Sequence, residues 1–199
     1  AFTNAAAKAN LQYATEAAKI LGIGADADWM NVANNIPVLK MADGITSEHS
    51  TYKGEGIKQA DVNLLAYPLK EITDPKQIKK DLDYYSVRVP NEGTPAMTQA
   101  IFTLLYARLG DSEKAFHFFK DAYVPNLNPP FNVIAETKGG TNPYFATGAG
   151  GILQSILNGF GGLEITPSGI MQLKTGLPKN WKSLTITGVG PERKTFVVR

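Results

Sequence analysis

Apolar residues recur at helical spacing through most of the first 160 residues. Leu11, Ala14, Ala18 and Leu21 fall on one helical face, and Gly22 follows them as a typical C-terminal stop. Other helix starts are indicated by a capping residue placed before a proline or an apolar run. The pattern predicts helices over residues 5–21, 28–35, 57–67, 75–85, 96–109, 112–123 and 149–157.

Short alternating runs replace the helical pattern beyond Gly161. They cover residues 163–165, 170–173, 183–186 and 195–198, and glycine and proline turns separate them. The chain is therefore predicted to be mostly α, with helix pairs in a toroid or solenoid followed by a small C-terminal β-sheet. Because the chain starts at Ala1 without a Met in helix-like sequence and stops at Arg199 in strand-like sequence, we expect both ends to be cut or processed.

The amino-acid composition excludes several classes of protein. The 199 residues carry 20 Lys and Arg against 18 Asp and Glu, and no basic stripe is present, which argues against electrostatic binding of nucleic acid. The chain contains no cysteine, so disulfide scaffolds, zinc ribbons and thiol nucleophiles are excluded. No apolar run approaches the roughly 20 residues that a membrane-spanning helix needs.

Glu136 is the strongest candidate for chemistry. It follows the β-prone run 131–134 and precedes a glycine-rich loop that ends in aromatic residues. A carboxylate in this position suits a general base exposed in a sugar-sized cleft. The alternative is a surface carboxylate paired with Lys138. Glu92 is a second candidate in a proline- and glycine-rich turn, where turn formation is its alternative role.

Lys58 and Gln59 stand at the start of the predicted 57–67 helix, whose later positions are apolar. Side chains there can point into a pocket and bind sugar hydroxyls, and the alternative is an exposed surface pair. Three aromatic residues are candidates either for stacking on a sugar face or for the core: Trp29, Tyr52 and Tyr144.

Two other patterns favour structural roles. Gly148, Gly150 and Gly151 enter a helix, but no Gly-Lys-Ser/Thr follows, so close helix packing is favoured over phosphate binding. His49 and His117 are far apart in the sequence and have no acidic residues at metal-ligand spacing. The sequence therefore predicts neither a metal site nor a cofactor.

Five segments of the chain resemble glycoside hydrolase family 65, which contains acid trehalases and disaccharide phosphorylases. The segments are IKQADVNLLAYP at 57–68, PAMT at 95–98, FATGAGGILQ at 145–154, GFGGL at 159–163 and AFTN at 1–4. They occur in the expected order, and residues 63–68 and 95–98 look most similar to the fungal acid trehalases.

The resemblance implies the second half of an (α/α)6 catalytic barrel over residues 1–160 and the start of a C-terminal β-sheet domain over 161–199. It also implies an upstream part of the same polypeptide, which carries an N-terminal β-sandwich and the glutamate that acts as general acid. This chain lacks the motif of that acid. We therefore expect the chain to be inactive by itself, and we expect no nucleic-acid or membrane partner.

The resemblance further implies inverting hydrolysis of α,α-trehalose to glucose. Residues 131–136 match a Phe-x-Val-x-x-Glu run that makes Glu136 the general base, and Lys58 and Gln59 match positions that hold the glucosyl unit. The phosphorylases hold phosphate with a Ser-Ser pair and a histidine. Here the matching turn at 92–95 reads EGTP and residues 139–147 contain no histidine, so hydrolysis is favoured.

Other functions remain open at this stage. One is a phosphorylase or an α-glucosidase of the same family, since members that cleave kojibiose and collagen-linked glucosides share these motifs. Another is a non-catalytic, carbohydrate-binding or surface fragment. The trehalase resemblance implies an extracellular, cell-wall or vacuolar location.

Overall fold

The computed structural model describes residues 1–90, 93–142 and 144–199, so the candidate Glu92 lies outside the described residues. The chain divides into two compact units. Unit 1 comprises Ala1–Glu55 with Asp61–Tyr84, and unit 2 comprises Gly56–Ala60 with Tyr85–Arg199. The described residues are mostly helical with small antiparallel strand pairs, which confirms the predicted class of part of an (α/α)6 barrel followed by a small sheet.

Unit 1 contains helices α1 (Phe2–Leu21) and α2 (Ala27–Asn35) and most of α3 (Pro75–Ser86). Helix α1 ends at Gly22, whose φ of 66° is a left-handed conformation that glycine adopts without steric cost. The predicted cap at the start of α3 is confirmed, because Asp74 accepts hydrogen bonds from the backbone N–H groups of Lys76 and Gln77.

The described part of unit 2 contains three α-helices, α4 (Ala96–Arg108), α5 (Ser112–Tyr123) and α6 (Ala146–Gln154). Helix α4 is buried along most of its length and packs against both α5 and α6. Asp111 caps α5 by accepting a hydrogen bond from the N–H of Lys114 at 3.2 Å. These helices therefore follow the predicted boundaries to within about three residues.

Among the residues of unit 2 that the structure describes, the strands form three antiparallel pairs. They are β1 (Leu127–Asn128) with β2 (Val133–Ile134), β3 (Leu163–Thr166) with β4 (Gly169–Gln172), and β5 (Leu184–Val189) with β6 (Lys194–Val198). The last four strands match the predicted β runs. The end of α4 is tied to β3 by an ion pair of 3.0 Å between Arg108 and Glu164, both largely buried.

Two helix predictions are wrong in part. Residues 57–67 form bends and a single 3₁₀ turn (Asn63–Leu65) because tertiary hydrogen bonds replace helical ones: Ile57 N–H donates to the Arg88 carbonyl, and the Lys58 carbonyl accepts from Thr98. The last helix starts at Ala146 and continues beyond Gln154 as π-helical turns over Ser155–Phe160.

Candidate active site

The β1–β2 hairpin positions Glu136 beside the first residue of α4. Leu127 pairs with Ile134, and the ladder continues as the N–H of Ala135 donates to the Asn126 carbonyl at 2.8 Å. Ala135 is fully buried, whereas the side chain of Glu136 is 33% exposed. The Glu136 carbonyl accepts from the N–H of Ala96 at 2.8 Å, which fixes its backbone at the first residue of α4.

Lys58 reaches the same place from a distant segment of the chain. Thr98, which is fully buried in the first turn of α4, donates its hydroxyl to the Lys58 carbonyl at 3.0 Å. The Lys58 ammonium lies 3.5 Å from Oε1 of Glu136, 78 positions away in the sequence. The structure therefore brings together two of the three predicted site residues, one anionic and one cationic.

Gln59 is exposed in the same bend as Lys58. Within the described residues it has no hydrogen bond to Glu136. The predicted helix is absent here, so the bend and not a helix end determines how Lys58 and Gln59 are presented.

Asn142 is a contact of Glu136 that sequence reasoning missed. Its side-chain N–H donates to Oε2 of Glu136 at 3.5 Å, and its side-chain oxygen accepts from the Glu136 backbone N–H at 3.5 Å. The only sequence feature at this position is an asparagine in a glycine-rich loop, which ordinarily indicates a turn. Glu136 thus has a cation beside one carboxylate oxygen and an amide donor beside the other.

Lys138, the alternative partner for Glu136, is exposed and lines a separate groove of unit 2. The ion pair that the structure describes for Glu136 is formed with Lys58 instead. Such a pair with one exposed partner contributes little to stability, about 0–1 kcal/mol. The pair is therefore of interest for where it places Glu136 and Lys58 and not for its contribution to the stability of the fold.

The glycines at the start of α6 and His117 lie in surroundings that indicate packing and surface roles. A Cβ on Gly151 would lie 3.0 Å from the Cβ of Ala100, and a Cβ on Gly148 would lie 3.1 Å from that of Ala96, so these glycines permit close packing of α6 on α4. His117 pairs with Asp121 on the exposed side of α5 at 3.5 Å. Within the described residues, no group of three or more His, Cys, Asp or Glu side chains is placed to hold a metal ion.

The three aromatic candidates separate by exposure. Tyr52 is buried, Trp29 is half-buried, and Tyr144 is 77% exposed. Tyr144 is thus the one of these three that remains available for stacking on a sugar. None of the helices in the described part of the chain is both long and apolar enough to cross a membrane.

Unit 1 holds a carboxyl group in very different surroundings. Burial, reinforced by the negative charge of Asp61, raises the pKa of Glu48 from 4.5 to about 7. Its Oε2 atom is buried and, in the part of the chain that the structure describes, has no hydrogen-bond partner. The local sequence gives no indication of this burial.

Comparison with known proteins now defines the class of this protein. Residues 27–132 match the glycosyl hydrolase family 65 central catalytic domain, which is more than half of the chain, and the chain belongs to this family. It is 75% identical over all 199 residues to a kojibiose hydrolase of Mucilaginibacter mallensis and 61% identical to one of Flavobacterium johnsoniae. It spans 29% of the length of each.

A periplasmic/secreted acid trehalase of Candida glabrata is more distant. It is 40% identical over 187 residues, which cover 84% of this chain and 15% of the trehalase. The family predicted from the sequence motifs is therefore confirmed, while the kojibiose hydrolases are more similar to this chain than this fungal trehalase is.

Proposed function

We propose that this chain is the C-terminal catalytic segment of an inverting α-glucosidase that hydrolyses an α-linked glucosyl disaccharide. The observation that carries the proposal is the meeting of Glu136 and Lys58 at 3.5 Å on segments 78 positions apart. In this proposal, residues 1–160 belong to the catalytic barrel and residues 161–199 begin the C-terminal sheet domain. The general acid and an N-terminal β-sandwich belong to the rest of the polypeptide.

Glu136 is proposed as the general base. Its carboxylate takes a proton from a water molecule as that water attacks the anomeric carbon on the face opposite the leaving sugar. The general acid gives a proton to the glycosidic oxygen, so the C–O bond breaks and the second sugar leaves neutral. For such a pair we expect the two carboxyl groups to lie roughly 6.5–9.5 Å apart, which leaves room for the water.

Lys58 and Gln59 are proposed to bind hydroxyls of the glucosyl unit beside Glu136. Lys58 offers three N–H donors on a flexible side chain that is 61% exposed, so it is accessible to a ligand while it stays near the carboxylate. Gln59 offers both donors and acceptors, and it is exposed in the same bend. Two adjacent polar side chains of this kind suit a ring that presents hydroxyls in several directions.

Kojibiose is the substrate that the relatives favour, since the proteins 75% and 61% identical to this chain are named kojibiose hydrolases. Trehalose is the second candidate, because the match to the acid trehalase covers most of this chain. The name of the Candida glabrata trehalase also favours a location outside the cytoplasm, as a periplasmic or secreted enzyme.

The test is a substrate panel with the complete protein that carries this chain. Kojibiose, trehalose, nigerose and maltose are each supplied with and without inorganic phosphate, and glucose and glucose 1-phosphate are quantified. We expect two glucose molecules per disaccharide without phosphate, kojibiose to react fastest, and the first glucose released from the cleaved bond to be the β-anomer by proton NMR.

Three results would contradict parts of this proposal. A requirement for phosphate with formation of glucose 1-phosphate would show a phosphorylase. Faster cleavage of trehalose than of kojibiose would replace the substrate assignment. Release of α-glucose as the first product would show retention and would remove the single-base mechanism.

A further inference from the structure

Asn142 contacts both the backbone and the side chain of Glu136. Its amide oxygen accepts from the Glu136 N–H, and its amide nitrogen donates to Oε2 of the Glu136 carboxylate, each at 3.5 Å. One planar amide therefore joins the two ends of the Glu136 residue. Such a contact restricts the side-chain torsions of Glu136 in a way that a contact to the carboxylate alone does not.

The loop between the two residues is folded so that Asn142 returns to Glu136. Its turn is closed by the Gly140 N–H, which donates to the Thr137 carbonyl at 2.9 Å. Asn128 at the end of β1 donates its side-chain N–H to the Gly140 carbonyl at 3.0 Å. Beyond Asn142, the N–H of Phe145 donates to the Ile134 carbonyl at 2.9 Å. The position of Asn142 is thus set by contacts on both sides of it.

The two oxygens of the carboxylate have different partners. Oε1 lies 3.5 Å from the Lys58 ammonium, and Oε2 lies 3.5 Å from the Asn142 amide. Each carboxylate oxygen has two lone pairs, so each retains capacity for a water molecule after these contacts.

We propose that Asn142 is a positioning residue that orients the carboxylate of Glu136 toward the attacking water, an inference that rests on the proposed role of Glu136 as general base. Asn142 also supplies a neutral donor where a second carboxylate would repel the ionised base. Among the described residues, the charged groups near this position are Lys58, at Oε1, and Lys138, two residues along the chain and exposed.

The experiment compares Asn142→Ala and Asn142→Asp in the complete protein, with kojibiose as substrate. Asn142→Ala removes the restraint, so we expect kcat to fall about ten-fold while KM stays within about three-fold, as for an interaction that matters mainly in the transition state. Asn142→Asp preserves the shape of the side chain but adds a negative charge beside Glu136. We expect the acidic limb of its kcat/KM profile to move about one unit to higher pH.

Asn128→Ala is the matched control, because it loosens the same loop through the Gly140 carbonyl without removing a contact to the Glu136 carboxylate. Its acidic limb is expected to coincide with that of the parent protein. Circular dichroism and thermal unfolding establish that each variant is folded before the kinetic comparison is made.

The proposal is overturned if the acidic limb of Asn142→Asp coincides with that of the parent. It is also overturned if Asn128→Ala reproduces the kcat loss of Asn142→Ala, since the loop would then act as a whole. Glu136→Gln is measured in parallel. If that variant keeps full turnover, the base assignment itself fails, which is separate from a failure of Asn142 alone.

Discussion

Unit 1 and unit 2 bury different kinds of side chain. The fully buried large residues of unit 2 include Phe102, Tyr106 and Phe160, and the ring of Phe102 packs edge-on against Phe118 with 5.3 Å between centroids. Unit 1 instead buries a carboxylate: Asp81 is 2% exposed. The proposed catalytic residues thus belong to the unit with the aromatic core, and the buried carboxyl group of Asp81 belongs to the other unit.

The buried carboxylate of unit 1 is satisfied by neighbouring donors. Asp81 accepts from the backbone N–H of Thr46 at 2.8 Å, from the Thr46 hydroxyl at 2.7 Å and from the Gln77 side chain at 2.9 Å. Hydrogen bonds of this kind make a buried charge tolerable. Glu48 in the same unit has a buried oxygen without a hydrogen-bond partner among the described residues, and burial together with the negative charge of Asp61 raises its pKa.

The largest effect is expected from the aromatic core of unit 2. Phe102→Ala should lower the free energy of unfolding by about 3–5 kcal/mol, because the substitution loses apolar burial and leaves a cavity in α4. Urea-induced unfolding measures the change. Phe131→Ala is the control, since its ring is 83% exposed, and we expect it to stay within about 0.5 kcal/mol of the parent. A loss below about 1 kcal/mol for Phe102→Ala would show that this core is not the main support of unit 2.

A smaller, pH-dependent effect is expected from unit 1. Because burial and Asp61 raise the pKa of Glu48 to about 7 in the folded protein, its protonated form contributes stability that is complete below pH 4.5. That contribution is lost as the pH rises through about 7. Between pH 5 and pH 8 the parent should lose about 1–2 kcal/mol through this group, a value reduced for its partial exposure to solvent.

Glu48→Gln keeps the side chain neutral, so its thermal unfolding temperature should depend less on pH than that of the parent over this interval. Glu16→Gln is the control, because Glu16 is an exposed residue of α1. A Glu48→Gln profile parallel to the parent profile would contradict the assignment of this titration to Glu48.

Most helices and strands could be predicted because their capping residues and apolar spacing favour the same structure that tertiary packing allows. Asp74 and Asp111 cap the helices that follow them, as the sequence indicates. The 57–67 segment could not be predicted, because its apolar spacing resembles that of a helix while its backbone bonds to Arg88 and Thr98 instead. Hydrogen bonds to distant residues have no signature in a local window of sequence.

The sequence predicts which residues form the candidate site, but it does not predict how they are arranged. Residue type and family resemblance indicated Glu136, Lys58 and Gln59, yet only the folded chain shows that Lys58 and Glu136 meet. The contact of Asn142 with Glu136 was not predicted, because it depends on how the loop between them folds. That fold is held in part by the hydrogen bond from Asn128 to the Gly140 carbonyl, which no local sequence pattern indicates. The catalytic roles of these residues remain predictions.

The most direct test of the central claim is the turnover of Glu136→Gln in the complete protein. We expect kcat for kojibiose to fall by roughly 10²–10⁴-fold with little change in KM, because the amide cannot accept the proton of the attacking water. Glu192→Gln, which alters an exposed acidic side chain in the β5–β6 turn, is the matched control. Loss of turnover in Glu136→Gln alone supports Glu136 as the base, and near-normal turnover in that variant would contradict it.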